Sequence, residues 1–305
     1  MNDIVETHLK GQDVKLTVKD CIYPQTKDIQ MPMNFFCAAF AGARGSGKTY
    51  LSCKLVKSMH DKKCYIGDRV VPQRVLLISP SAHSPSNDIF KSLNIDWDND
   101  VYEEFTEKLL DDIIKKLNDD QEEAKEYQNY VKAYIKFEKI TNIDDLPIEQ
   151  LMLLHSFDFE HPDMIPKPKY PNGFYTVIIL DDLVSTSAFK QGRSRLTYHM
   201  LKNRHQCGGI SYILNVQSIM AIPKSIRMNL NLISIFRFAN KALILNDLSP
   251  LISATTSIEE FDSLYSHATK DNQHDCLLID LTKSKPIFKR NLDTLLELKK
   301  NNVSI

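Results

Sequence analysis

Apolar positions along the chain fall into short continuous runs closed by Pro, Gly or charge, and longer stretches where they recur every three or four residues. Asn34 to Ala41 (NFFCAAFA), Arg74 to Ser79 (RVLLIS), Phe174 to Leu180 (FYTVIIL), Ile210 to Val216 (ISYILNV) and Leu230 to Phe238 are of the first kind and predict buried strands. Tyr50 to Lys62 carries Leu51, Leu55, Val56 and Met59 on one side and predicts a helix. Helical character returns over Val101 to Leu117, Gln121 to Ile140 and Pro147 to Leu154, with Asp144 placed like a cap before the last, and again over Arg195 to His205. Asp275 to Leu281 (DCLLIDL), a polar turn and Lys285 to Lys289 predict a β-hairpin. Near the start, Val14 to Lys19 alternates as an amphipathic edge strand does, and Pro24 and Pro32 break the chain after it. Ser81 to Asn87 is a Ser/Pro-rich loop, and His161 to Asn172 (HPDMIPKPKYPN) reads as an extended connector. The pattern divides the chain into an N-terminal extension (1–33), an α/β core in two parts (34–93 and 170–290), a helical insertion between them (94–169) and a tail (291–305).

The turn between the first strand and its helix reads GARGSGKT, Gly42 to Thr49, and matches the P-loop pattern G-x-x-x-x-G-K-[ST] at Gly42, Gly47, Lys48 and Thr49. The spacing has a chemical reason. A glycine-rich turn lets successive backbone N–H groups converge on phosphates where a Cβ would block the approach. The loop Gly42, Ala43, Arg44, Gly45, Ser46, Gly47, with Lys48, Thr49 and the following Tyr50, is the predicted phosphate-binding segment. Lys48 would neutralise charge on the β- and γ-phosphates of ATP, and the Thr49 hydroxyl would ligate Mg²⁺ at the positive end of the helix. An ordinary turn with a chance match is the alternative, and the order strand, glycine loop, helix argues against it.

Charge sharpens this picture more than composition does. The formal net charge of the 305 residues is -1, yet Asn94 to Asp163 holds 20 Asp/Glu against 7 Lys, and Leu183 to Asn246 holds 9 Lys/Arg and no acidic residue. Solvated helix faces account for the acidic block. The basic block is harder to explain that way, because solvated faces mix both signs. Six scattered cysteines without a C-x-x-C pair argue against zinc or redox chemistry and for reduced, structural thiols. No signal pattern and no bilayer-length apolar run occurs, which predicts a cytosol-like compartment.

Val177-Ile178-Ile179-Leu180-Asp181-Asp182 has the form of a Walker B element: four apolar strand residues deliver carboxylates to the C-terminal edge of a sheet. Asp181 would hold Mg²⁺ through water and Asp182 would polarise an attacking water, and this second carboxylate separates hydrolases from many kinases. A strand ending in an Asp-containing turn is the plain alternative. Gln217, just past the fourth strand, is either a partner for the γ-phosphate or attacking water, or a solvated strand end. Arg204 is either an arginine finger supplied to a neighbouring subunit or a favourable cation at a helix C-terminus, and Arg227 competes for the finger role.

The order GARGSGKT, IILDD, KNRHQCGGISYILNVQS, IPKSIRMNLN resembles the FtsK/HerA superfamily of ring-forming translocases, and within it the genome-packaging ATPases of large cytoplasmic DNA viruses (poxvirus-type) and of virophages. The resemblance runs from about Phe35 to Lys289. It implies an α/β P-loop NTPase fold of the ASCE type: a mainly parallel central sheet flanked by helices, a helical insertion and a C-terminal β-hairpin. It further implies Gln217 as sensor, Arg204 with His205 as a functional pair, and a functional Arg227. A homo-oligomeric ring, double-stranded DNA, capsid or portal-vertex proteins, and a location in the host cytoplasm or virion follow from it as expectations. Asp182 departs from the superfamily, where Glu is usual. The expected activity is ATP-driven packaging of duplex DNA into a preformed capsid. The rivals are a P-loop kinase, for which no arginine-rich lid is found, and a nucleotide-binding scaffold without turnover.

Overall fold

Residues 37 to 41 contribute three alanines to a strand with no exposed atom to spare, and small side chains there allow helices to close on both faces of the sheet. The computed structural model describes residues 23–183, 186–189, 194–238, 240–252 and 256–298. The edge strand expected at Val14 to Lys19 lies outside them, as do Cys21, Lys190, Arg193 and the end of the tail.

In chain order the elements are β1 (Cys37–Ala41), α1 (Lys48–Lys62), β2 (Cys64–Ile66), β3 (Arg69–Val71), β4 (Gln73–Ile78), β5 (Val101–Tyr102), α2 (Glu107–Phe137), α3 (Ile148–Ser156), β6 (Tyr175–Asp181), α4 (Arg195–Leu201), β7 (Ile210–Val216), α5 (Lys224–Arg227), β8 (Leu232–Phe236), α6 (Lys241–Ile252), α7 (Ile258–Ala268), β9 (Cys276–Asp280), β10 (Ile287–Arg290) and β11 (Thr294–Leu296). Among the described residues one sheet has nine strands in the order β11-β10-β9-β8-β1-β7-β6-β4-β5. From β5 to β8 all neighbours are parallel, and β9, β10 and β11 then add as an antiparallel meander.

Alternation along the strands sorts the core into two layers. Ala39, Ala41, Leu76, Ile78, Ile178, Leu180, Tyr212 and Leu214 face the side covered by α2, α4, α6 and α7. Ala38, Phe40, Val75, Leu77, Val177, Ile179 and Ile213 face the other, where Leu51, Leu55, Val56 and Met59 of α1 pack. Each Val, Leu, Ile, Phe or Met among them contributes about 1.5–3 kcal/mol relative to exposure. This explains why the strands read as continuous apolar runs: both faces are covered.

The acidic stretch differs from its sequence reading. Val101 and Tyr102 are a short strand because the open edge of β4 pairs with them, Leu77 opposite Val101. The two expected helices are one, α2, of 31 residues, capped by Thr106, whose side chain accepts from Leu109 N. The polar stretch near residue 120 does not break the helix because it anchors it. Gln121 Nε2 donates to the carbonyls of Phe174 (2.7 Å) and Cys207 (3.2 Å), and Asp120 accepts from Arg74. The N-terminal half of α2 packs through Leu110, Ile113, Ile114 and Leu117 into the main core. Its C-terminal half forms a separate cluster in which Tyr130 and Ala133 meet Leu146, Leu154 and Ile165. Asp144 caps nothing; it lies in a one-turn helix capped by Asn142, and Pro147 precedes α3. The helix expected over Arg195 to His205 ends at Leu201, which leaves Arg204 and His205 in a turn. The β2–β3 hairpin, α5, α6, α7 and β11 have no counterpart among the elements predicted from sequence.

Arg74 on β4 is 3 % exposed and holds Asp100, 1 % exposed, through two bonds of 2.9 Å from Nε and Nη2. Replacing only one partner strands a buried charge, so Arg74→Leu is expected to cost about 3–5 kcal/mol in urea unfolding, and Arg74→Leu with Asp100→Leu to recover most of it.

Candidate functional site

Three strand ends meet at the C-terminal edge of the sheet. β1 runs into the glycine loop, and Gly42 N donates to Val216 O at 3.1 Å, tying the loop to the end of β7. A Cβ on Gly42 would lie 2.4 Å from Ser46 Oγ and 2.9 Å from Phe236 Cβ, so no larger residue fits. Gly45 (φ +77°) and Gly47 (φ +97°) occupy the left-handed region, and Gly47 starts α1 without any side-chain cap. The first N–H groups of α1 are therefore presented to a ligand instead of being closed by a Ser or Asp. The helix dipole adds to their attraction for an anion.

β6 ends beside this loop, separated from β1 by β7 alone. Asp181 is 4 % exposed. Its Oδ1 accepts from Asn215 Nδ2 at 2.9 Å and faces the Thr49 hydroxyl at 3.3 Å, and its Oδ2 accepts from Ser79 Oγ at 3.4 Å. Burial pushes its pKa above the usual carboxylate value, opposed by the Asn215 amide, the Lys48 charge and the Thr49 hydroxyl. Asp182 is exposed, with φ +57°, and receives a 3.4 Å bond from Gln217 Nε2. That backbone conformation explains the shorter acid. Asp is several-fold enriched at positive φ, where its side chain bonds locally, whereas Glu is not.

The strand order thus gathers Lys48, Thr49, Asp181, Asp182 and Gln217 around one open cavity of about 560 Å³, with Arg44 and Tyr50 at its wall. Ser81 and Ser84, from the loop after β4, also line it. The sequence shows that loop as Ser/Pro-rich, and a serine-rich segment after a strand at the same sheet edge is a usable signal for these two residues. Gly47 and Tyr50 are shared with a second cavity of about 370 Å³, walled by Leu51, Lys54, His274, Asp275 and Asn291. His274 Nδ1 lies 3.2 Å from Ser46 O, so the segment before β9 buttresses the loop from behind. Nothing in a single sequence connects His274 with Ser46; the antiparallel return of β9 beside β8 does.

The arginines lie elsewhere. Arg204 is exposed at the opposite edge of the sheet, where β1 begins: the neighbouring Asn203 Nδ2 donates to Phe35 O at 2.6 Å. Arg227 closes α5 with Nη1 3.0 Å from Met220 Sδ, and borders a third cavity with Lys224. Neither lines the Lys48 cavity of its own chain. Of the basic block, Arg195 is held by Asp111 at 2.7 Å and Lys241 by Asp262, so acids from outside the block offset part of its charge.

Strand order, glycine loop and paired acids define the architecture independently of any relative. This is the P-loop NTPase fold, in the arrangement with one strand between the loop strand and the acid-bearing strand. No protein-family model and no curated protein sequence matches the chain. Among solved structures, it is similar to the genome-packaging NTPase B204 of Sulfolobus turreted icosahedral virus 2 in complex with ATP-gammaS, at 15% identity and TM-score 0.39, covering 86% of this chain and 98% of that one. It is also similar to the pCW3 conjugation coupling protein TcpA with ATPgS, at 13% identity and TM-score 0.35, covering 86% and 59%. A third is EssC, ATPases 2 and 3, from Geobacillus thermodenitrificans, at 13% identity and TM-score 0.42, covering 87% and 41%.

Because burial raises the pKa of Asp181, the folded state binds its proton more tightly than the unfolded chain does. The carboxyl therefore supports folding fully below the unfolded value near 3.8, and that support is lost as pH rises through the folded value. In metal-free buffer, Asp181→Asn is expected to raise the thermal midpoint at pH 7 to 8, with the gain shrinking as the pH is lowered toward about 4.

Proposed function

We propose that this protein is an ATP-hydrolysing translocase of double-stranded DNA that packages a viral genome into a preformed capsid. The observation that carries the hydrolase reading is the convergence of Asp182 and Gln217 on the cavity that holds Lys48, Thr49 and Asp181. A phosphate-binding scaffold needs only the loop; a second carboxylate, exposed and paired with an amide, is what a water-activating site adds.

In this reading the loop N–H groups and Lys48 receive the β- and γ-phosphates, and the base occupies the second cavity against Tyr50 and His274. Thr49 Oγ1 and Asp181 Oδ1, 3.3 Å apart, are hard oxygen donors that fit Mg²⁺, an ion that takes few protein ligands and completes its shell with phosphate oxygens and water. The ion would offset phosphate charge. Asp182 accepts the proton of the attacking water. Gln217, which donates to Asp182 here, is placed to orient that water or to contact the γ-phosphate.

Arg204 lies too far from its own cavity to serve it, so its finger role is proposed between subunits of a homo-oligomeric ring, with Arg227 as the competing residue. DNA contact is proposed for exposed cations of the basic block such as Lys202 and Lys224, through backbone phosphates, which suits a motor indifferent to sequence. Capsid or portal-vertex proteins as partners, and a place in the host cytoplasm or virion, complete the proposal. Among the described residues no helix is long and apolar enough to cross a membrane.

Steady-state turnover with and without linear duplex DNA tests this reading. Wild-type protein is expected to hydrolyse ATP faster with DNA, and Lys48→Ala to fold but lose turnover by at least about a hundred-fold, in the range seen when a charge-stabilising group is removed. Turnover without phosphate transfer to any acceptor excludes the kinase. Arg204→Ala and Asp182→Asn, each inactive alone, are expected to recover part of the rate when mixed; no recovery at any ratio counts against the finger acting between subunits.

A further inference from the structure

Asn215 lies on β7 directly opposite Asp181 in the β6–β7 register and is completely buried. Around it β7 is apolar: Ile213, Leu214 and Val216 are each wholly inside. The Nδ2 group uses both of its hydrogens. One goes to Asp181 Oδ1 at 2.9 Å, the other to Ser52 Oγ at 3.1 Å, and Ser52 Oγ in turn donates to Thr49 O at 3.0 Å. Among the described residues Asn215 Oδ1, which is buried, has no hydrogen-bond partner.

The orientation of the amide follows from chemistry. An ionised carboxylate only accepts, so turning the amide over would set Oδ1 against Asp181 Oδ1 and lose the bond. The cost of this arrangement is a buried acceptor left without a bond, at a strand position where an apolar side chain would carry no such penalty. A residue that lowers stability in an otherwise apolar strand is explained by the group it holds.

We infer that Asn215 is a positioning residue for the cation site: it fixes the Asp181 carboxylate and links it, through Ser52, to the turn of α1 that carries Thr49. This rests on the proposed nucleotide site and goes beyond it. The two oxygens of the Mg²⁺ pair belong to different elements, β6 and α1, and the Thr49 hydroxyl must turn its hydrogen away from Asp181 when both face a cation. Of the two donors to Oδ1, the Asn215 bond is the one that can persist through that change. It then keeps the carboxylate aimed while its other hydrogen keeps the register between strand and helix. Such outer partners of a ligating carboxylate set metal affinity without touching the metal.

Asn215→Leu removes both donors while keeping the branching of the side chain, and Asn215→Ala does so without risk of overpacking. Binding of a fluorescent ATP analogue by the full chain is measured in EDTA and across a Mn²⁺ titration, with bound Mn²⁺ counted from loss of the free-ion EPR signal. Both variants are expected to keep the EDTA affinity within about two-fold of wild type and to raise the Mn²⁺ half-saturation about ten-fold or more. Ser52→Ala, which removes the link to α1 and spares the carboxylate bond, is expected to give a smaller rise. An unchanged Mn²⁺ midpoint in whichever Asn215 variant is folded overturns the inference. So does an equal loss of affinity in EDTA and Mn²⁺, which marks Asn215 as scaffold. If wild-type protein binds the analogue with no gain from Mn²⁺, the cation site itself fails and the role of Asn215 with it.

Discussion

A carboxylate almost removed from water at the end of β6 is the constraint around which this edge of the sheet is arranged. Ionised Asp181 cannot be carried in an apolar layer without donors, since an unpaired buried charge costs several kcal/mol. The structure supplies one from each neighbouring element: Thr49 from α1, Ser79 from the end of β4 and Asn215 from β7. Lys48 adds a positive charge from the start of α1. The elements that must converge to keep this acid ionised are the same ones that build the phosphate loop and its cavity. Stability and the proposed cation site are therefore opposed at this point.

The acidic block acquires a different meaning once its contacts are known. Its charges are not uniformly solvated. Asp100 and Asp120 close around the buried guanidinium of Arg74, and Asp111 receives Arg195 and, at 2.8 Å, His199 Nε2 of α4. These bonds fasten α2 to β4 on one side and to α4 on the other. The turn that presents Arg204 follows α4 directly, so the acidic helix fixes the starting point of that turn. A segment that composition alone places at the surface is, over its first half, part of the frame.

Most of the sheet was legible because its strands are covered on both faces and so read as unbroken apolar runs. The cavity residues were legible where chemistry demands fixed spacing: Gly42 to Thr49, and the acids after Leu180. What escaped reading was set by tertiary pairing. Val101 and Tyr102 have no strand signature beyond two β-formers, and only the free edge of β4 makes them one. No break falls after Leu117, because Asp120 and Gln121 are polar residues that bond the core. By contrast, α7 was open to discovery: Ser257 and Glu260 form a complete capping box, a signal that sequence contains. Asn215 illustrates the limit, since in ISYILNV it looks like the one imperfect residue of a buried strand.

The position of Arg204 adds a geometric condition to any role in phosphoryl transfer. It sits where β1 starts, and the phosphate loop begins where β1 ends, five residues later. At about 3.3 Å per residue the strand alone separates them by roughly 16 Å, beyond the reach of one side chain. An arginine there meets a bound phosphoryl group only if the N-terminal edge of one sheet faces the C-terminal edge of another. Contact between two different surfaces of identical chains is heterologous, and it propagates until it closes as a ring or continues as a filament. The finger and the ring are thus one hypothesis, because an isologous dimer that pairs the C-terminal edges with each other leaves Arg204 remote from both cavities.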